Sequence, residues 1–255
     1  MLERRFKSAV KRIFQAVGYD IIRHQGAATF PPDFSPSHNS IITTVQPYTM
    51  TSPERLYALI EAVRYIVAAE VAGDFVECGV WKGGSMMAVA LTLQQLNQTD
   101  RQLYLFDTFQ GMPKPSDSDR NFRGQLGIDI FEASQTGNDS SAYCQAQLQE
   151  VRGALATTGY PRDRIHLIRG KVENTIPEQA PVSVALLRLD TDWYESTKHE
   201  LEHLFPRLSR GGVLIIDDYG HWEGCKRAVD EYFSKNGATT FLARIDYTGR
   251  IGIKI

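Results

Sequence analysis

A chain of 255 residues with 42% apolar and 23% charged content is long enough to bury a full core within one domain. Its formal net charge of -2 argues against a nucleic-acid partner, which calls for a net basic face. No apolar run reaches membrane-span length, and the opening "MLERRFKSAVKRIF" lacks the apolar core and small-residue cleavage site of a secretory signal, so the expected location is cytoplasmic.

Residues 1–24 place Leu2, Phe6, Val10, Ile13 and Val17 on one helical face and Arg4, Arg5, Lys7, Lys11 and Arg12 around the rest. This is the pattern of a basic amphipathic helix, which docks on the body or on a partner subunit of a homo-oligomer, with peripheral membrane contact as the sharper alternative. Residues 25–43, rich in Gly, Pro and Ser, read as a linker. The main domain is expected over 44–255.

"TSPERLYALIEAVRYIVAAEV" carries a helix start, with Ser52 as N-cap, Pro53 at the first helical position and Glu54 in the first turn. "DFVECG" then reads as a strand, followed by a helix from about Gly84 to Leu96 and a second strand, "QLYLFD". The stretch from Lys114 to Ser141, rich in Asp, Ser and Gly, is expected to be a mobile insertion or lid. Further strands follow at "RIHLIRG", "VALLRLD" and "GVLIID", separated by helical stretches. Strands alternating with helices imply an α/β, doubly wound, Rossmann-like parallel sheet covered on both faces. "TTFLARIDYTGRIGIKI" differs, with two strand-like runs and a turn between them, and predicts a C-terminal antiparallel hairpin. Cys78, Cys144 and Cys225 form neither a CxxC pair nor an even set, and read as packing residues of a reducing compartment.

In "GDFVECGVWKGGSMMAVAL" a strand enters a glycine-containing turn and then a helix, whose first N–H groups offer a partial positive charge to an anion. The spacing is not GxGxxG, which weakens a dinucleotide reading. Glu77 beside that turn would repel a pyrophosphate but attract an ammonium or sulfonium. Asp107 at the end of the next strand can accept hydrogen bonds from both hydroxyls of a ribose. Together they suit S-adenosylmethionine better than NAD. A tightly packed glycine turn flanked by helix-capping acids is the bland alternative.

The segments "FVECGVWKGGS", "LFDTFQGMP", "LRLDTDWYEST" and "GGVLIIDDYGHW" together resemble the macrocin O-methyltransferase family, class I S-adenosylmethionine-dependent enzymes that methylate hydroxyls of sugars on natural products. The resemblance runs from about Thr44 to Ile255. It implies that Glu77 and Gly79 shape the methionine end of the donor site, that Ser85 caps the helix near it, and that Asp107, with Thr108, holds the ribose. Met50 and Thr51 would cover the donor, and Gly170 to Val172 would border the adenine. The acceptor implied is a small-molecule glycoside or other hydroxylated compound.

Methyl transfer to a hydroxyl requires an aligned and activated oxygen, which a divalent ion and a nearby base supply. Asp190 ends one expected strand, and Asp217 and Asp218 end the next. If those strands are neighbours, about 5 Å apart, the three carboxylates can converge on Mg²⁺. Helix capping and a solvated turn are the bland readings. Asp192 is an alternative ligand. Asp190 is the candidate base, with His221 its rival, and Trp222 is a further candidate for the acceptor pocket. His199 and His203, at helical spacing without a third ligand, read as a solvated face. A nicotinamide-dependent oxidoreductase and a non-catalytic nucleoside-binding domain are the competing functions.

Overall fold

All six residues of the run Val184–Leu189 are buried, as a strand flanked on both sides and covered on both faces requires. In the computed structural model, which describes residues 30–237 and 240–255, this strand lies inside a seven-stranded sheet. The strands in chain order are β1 (Asp74–Cys78), β2 (Leu103–Asp107), β3 (Gln135–Gly137), β4 (Ser140–Ser141), β5 (Ile165–Arg169), β6 (Val184–Leu189), β7 (Leu208–Ile216), β8 (Ala243–Arg244) and β9 (Arg250–Ile253). The sheet order is β5-β2-β1-β6-β7-β9-β8. The pairs β5/β2, β2/β1, β1/β6 and β6/β7 are parallel, whereas β9 pairs antiparallel with both β7 and β8. The expected Rossmann-like sheet with a C-terminal hairpin is therefore the observed one. The helices are α1 (Pro36–Val45), α2 (Pro53–Ala68), α3 (Gly84–Gln95), α4 (Gly127–Ala133), α5 (Leu148–Ala156), α6 (Val172–Thr175), α7 (Tyr194–Leu204) and α8 (Glu223–Asn236).

Alternation along the strands assigns each side chain to a face. Val76, Cys78, Leu187, Leu189, Leu214 and Ile216 join Leu201, Leu204, Cys225 and Val229 of α7 and α8 in one apolar core. The intervening residues, Glu77 on β1 and Arg188 on β6, therefore point to the opposite face, where α2 contacts β6 and β7. Glu77 and Arg188 are also register partners. A carboxylate and a guanidinium thus meet inside the sheet's second core, where α2 carries Arg55.

The Ser52 cap is present: its hydroxyl accepts from the Arg55 amide at 3.2 Å and Pro53 follows at the first helical position. One expectation is corrected. Residues 36–43 were expected within a linker, yet they belong to α1. Ser35 and His38 form a capping box there, the hydroxyl of Ser35 accepting from the His38 amide while His38 Nδ1 accepts from the Ser35 amide at 3.1 Å. Pro36 sits at the tolerated first position, and Ile41, Ile42 and Val45 supply a buried stripe. The Pro and Ser that suggested a break are a start signal. The Lys114–Ser141 stretch holds α4 and the small β3/β4 pair. The expected basic helix over residues 1–24, with its subunit and membrane contacts, lies outside the described residues. No helix among the described residues is long and apolar enough to cross a membrane.

The strand order places β2 and β6 on either side of β1, so a crevice opens at the carboxyl ends of these strands, the place where doubly wound sheets bind ligands. Gly79 lets the β1 end approach the β6 end: its φ is +83°, and a Cβ there would lie 1.9 Å from the carbonyl oxygen of Asp190. Gly79→Ala is expected to cost about 2–5 kcal/mol, from left-handed strain plus overpacking. Thermal or urea unfolding checks this, and a variant as stable as the parent would contradict the close approach.

Candidate functional site

A cavity of about 260 Å³ opens at these strand ends. Its wall brings together Met50, Thr51, Gly79, Ser85, Asp107, Thr108, Gly170, Asp190, Asp217, Asp218 and His221, the residues singled out in the sequence with one exception. The exception is Glu77, which stands behind the lining and is 1% exposed. Ser85 lies in the first turn of α3, but the N-cap is Gly83, at φ +89° and without a side-chain cap bond, so Ser85 does not cap that helix.

On one half of the cavity, Asp107 is fixed by the turn it faces. Oδ2 accepts from the amides of Val80 at 2.7 Å and Trp81 at 3.1 Å, and Oδ1 accepts from Phe109 at 2.6 Å. Burial nonetheless raises its pKa, because desolvation outweighs those three donors. Gly170 closes the same side, its amide donating to the Asp107 carbonyl at 3.0 Å. Opposite runs a strap, residues 48–51, packed on the N-terminus of α3. A Cβ on Gly84 would lie 2.6 Å from the Tyr48 carbonyl oxygen, so glycine there permits the contact.

On the other half, the parallel pairing of β6 with β7 sets Leu189 against Ile216, so Asp190 and Asp217 follow at equal height. One oxygen from each of Asp190, Asp217 and Asp218 lies within 4.8 Å of the others. Arg188, 2% exposed, is the counter-charge. Its Nη1 donates to Glu77 Oε1 at 2.8 Å and to Asp190 Oδ2 at 2.7 Å. Its Nη2 donates to Asp217 Oδ1 at 2.6 Å and to the hydroxyl of Thr51 at 3.1 Å. Arg55 of α2 donates to the second oxygen of Asp217 and, through Nε, pairs with Asp246 at 3.0 Å. Asp218 Oδ2 is buried and has no partner among the described residues. Asp192, held at φ +65°, lines the same wall as Asp218 and Trp222.

The electrostatics follow from crowding. Burial would lower the pKa of Arg188, but Asp190, Asp217 and Glu77 hold it well above its ordinary value. Asp190 is pushed well up by burial and by Asp217, Asp218 and Glu77, against the pull of Arg188. Asp218 is pushed well up by burial, then by Asp192 and Asp217. Glu77 and Asp192 are both raised to about 7, chiefly by burial. His221 is lowered by burial, with Arg55 and Arg123 adding to the effect, so its neutral form prevails at pH 7. Its Nδ1 meets the Tyr247 hydroxyl at 3.0 Å.

Several residues here carried no sequence reading. Arg188 could have been found, since a lone charge inside an apolar strand demands an acidic partner. Arg55, Asp246 and Tyr247 offered no such signal. Cys144, expected only to pack, lines the cavity, whereas Cys78 and Cys225 are buried. His199 lies outside the cavity, its Nε2 3.0 Å from the Ile176 carbonyl oxygen.

With that geometry in place, residues 19–251 match the sequence pattern of Macrocin-O-methyltransferase (TylF). The chain belongs to the macrocin O-methyltransferase family. It is similar to the 8-demethyl-8-(2,3-dimethoxy-alpha-L-rhamnosyl)-tetracenomycin-C 4'-O-methyltransferase of Streptomyces olivaceus, at 33% identity over 79% of this chain and 74% of that protein. It is similar also to the Mycinamicin III 3''-O-methyltransferase of Micromonospora griseorubida, at 31% identity over 79% of this chain and 76% of that protein. The solved structure of the O-methyltransferase NovP superposes with a TM-score of 0.72 at 29% identity, covering 81% of this chain and 82% of the other. The chain is thus an O-methyltransferase of a family whose donor is S-adenosylmethionine, and the rival nicotinamide oxidoreductase is set aside.

The raised carboxyl of Glu77 has a consequence for this methyltransferase. Its ordinary value is 4.5 and its folded value about 7, so between these pH values the folded state binds more protons than the unfolded one. That contribution to stability is present below 4.5 and is lost as pH rises through about 7. Asp190, Asp192 and Asp218 act with the same sign. Metal-free, ligand-free protein should melt at a lower temperature at pH 8 than at pH 6, as scanning calorimetry can measure. A higher melting temperature at pH 8 would contradict the assignment.

Proposed function

We propose that this enzyme transfers the methyl group of S-adenosylmethionine to a sugar hydroxyl of a glycosylated natural product, with Mg²⁺ bound by Asp190, Asp217 and Asp218. The observation that carries the reading is the convergence of those three carboxylates beside the cavity, with a partnerless buried oxygen on Asp218. The donor set fits a hard cation, being all oxygen. The electrostatics fit as well. Burial and mutual repulsion push the carboxyls of Asp190 and Asp218 well up, and a divalent cation among them would relieve that repulsion. Both oxygens of Asp217 already receive a guanidinium, so Asp217 would reach a metal through lone pairs the arginines leave open. Curated relatives that act on glycosides support the acceptor class.

When bound, Mg²⁺ would hold neighbouring acceptor hydroxyls and lower the pKa of the one to be methylated. The chain's own residues do the rest. Arg188 holds Asp190 Oδ2, which leaves Oδ1 to take the acceptor proton. Asp190 lines the cavity together with Asp217 and Asp218, so an acceptor hydroxyl held there would meet a carboxylate able to take its proton. The acceptor oxygen then bonds to the methyl carbon as the carbon–sulfur bond breaks, and S-adenosylhomocysteine leaves. His221, neutral at pH 7 and in the same wall, is the alternative base. For the donor, Asp107 accepts from a ribose hydroxyl with the lone-pair capacity that three backbone amides leave. Met50, Thr51, Gly79, Ser85, Thr108 and Gly170 form the surrounding wall. Glu77 stands behind that wall, so its contribution to the donor site would run through Arg188, which it holds and which in turn holds Thr51.

Calorimetry should show binding of S-adenosylmethionine and none of NAD, with Asp107→Ala weakening the donor by ~1–3 kcal/mol. NAD binding with the donor silent would end this reading. Separately, Asp190→Asn and Asp218→Asn should abolish transfer from labelled donor to a glycoside while leaving donor affinity within about threefold, since Asp107 lies across the cavity. Removing metal with EDTA should have the same effect. Undiminished transfer by demonstrably metal-free enzyme would make the acids structural and shift the role of base to His221.

A further inference from the structure

Asp246, in the turn between β8 and β9, lies outside the cavity wall, yet each of its oxygens accepts two donors. Oδ1 takes the amides of Thr248 at 2.9 Å and Gly249 at 2.7 Å, which fold the turn around the carboxylate. Oδ2 takes the Ser52 hydroxyl at 2.8 Å and Arg55 Nε at 3.0 Å, which come from the start of α2. The Arg55 guanidinium then reaches Asp217 with its other end. The stem of Arg55 crosses Gly249 so closely that a Cβ there would lie 2.9 Å from Arg55 Cδ. Thr248, next in the turn, donates its hydroxyl to the Asp217 carbonyl at 2.7 Å. The C-terminal turn therefore grips Asp217 directly through Thr248 and indirectly through Arg55. Ser52 and Arg55 also anchor the strap that ends in Thr51, whose hydroxyl accepts from Arg188.

We propose that Asp246 is a positioning residue of the methyltransferase: by fixing Arg55 it sets the guanidinium on Asp217 and holds the strap over the donor cavity. Arg55 divides one cation between two carboxylates, and the division has a geometric result. With Nε on Asp246 and Nη1 on Asp217, the guanidinium is held at both ends, which would oppose a swing across toward Asp190 and Asp218. The carboxylate of Asp246 suits this task because its hydrogen bonds to Gly249, Ser52 and Thr248, with Arg55, hold its pKa below the ordinary value despite partial burial. The β8/β9 hairpin, an appendage to the parallel sheet by topology, becomes part of the active-site frame.

This inference rests on the donor reading above, and the test separates the two. Calorimetric titration of S-adenosylhomocysteine into the parent, Asp246→Asn, Arg55→Gln and the double variant forms a double-mutant cycle. No binding by the parent would defeat the donor reading itself. With the parent binding, Asp246→Asn should weaken S-adenosylhomocysteine roughly tenfold, Arg55→Gln by a similar factor, and the double variant no further than Arg55→Gln alone. Unchanged affinity in folded Asp246→Asn, or losses that multiply in the double variant, would overturn the proposal, because Asp246 would then act independently of Arg55. Circular dichroism verifies folding of each variant. Should Asp246→Asn not fold, Gly249→Ala displaces the Arg55 stem with Asp246 intact, and parent-like affinity there would equally overturn it.

Discussion

A single buried guanidinium organises this candidate site. Arg188 is the fifth of six residues in a wholly buried strand and binds Glu77, Asp190, Asp217 and Thr51 with its two terminal nitrogens. Desolvating an arginine is costly, and a fork of charge-assisted hydrogen bonds to several carboxylates is the arrangement that offsets the cost. The reverse also holds, because those carboxylates would not remain together at the ends of buried strands without a cation among them. Of the two acids that end the run "GVLIIDD", Asp217 is therefore tolerated through Arg188 and Arg55. The crowding of Asp190 and Asp218, and the partnerless oxygen of Asp218, are what a divalent ion would answer.

That centre imposes an order on the surrounding chain. Its four partners come from β1, from the strap before α2, and from the ends of β6 and β7, so both halves of the cavity share one cation. Glycines make this density possible at two places. Gly79 brings the end of β1 onto the Asp190 carbonyl, and Gly84 brings the strap onto α3. The apolar core under α7 and α8 takes no part in the chemistry, but it fixes the opposite face of the same strands, and hence the height at which Asp190 and Asp217 emerge.

Where the sequence reading and the structure part, the reason is physical. Ser35 and Pro36 look like loop residues in isolation but are a cap and a first helical position once Ile41, Ile42 and Val45 have something to pack on. Glu77 was read from its neighbours along the chain, as a carboxylate beside a glycine turn. Its partner is 111 residues away, and only strand register makes the pair visible. Cys144 carries no periodic context, and its place on the cavity wall depends on how the segment after β4 crosses the site.

The sequence by itself determined the alternation of strands and helices, the closing hairpin, the glycine turn after β1 and the acids at the strand ends, because each is a local pattern with a fixed period or a fixed chemical requirement. It also carried the family, since several short motifs occur in one order. Only the tertiary structure decided how the charges are satisfied. Arg188 against Glu77, Arg55 against Asp217 and Asp246, and His221 against Tyr247 are pairings across strands, helix and turn, with no constraint on their sequence separation. A buried charge announces that it needs a partner; which partner it finds depends on the register and packing of the whole sheet.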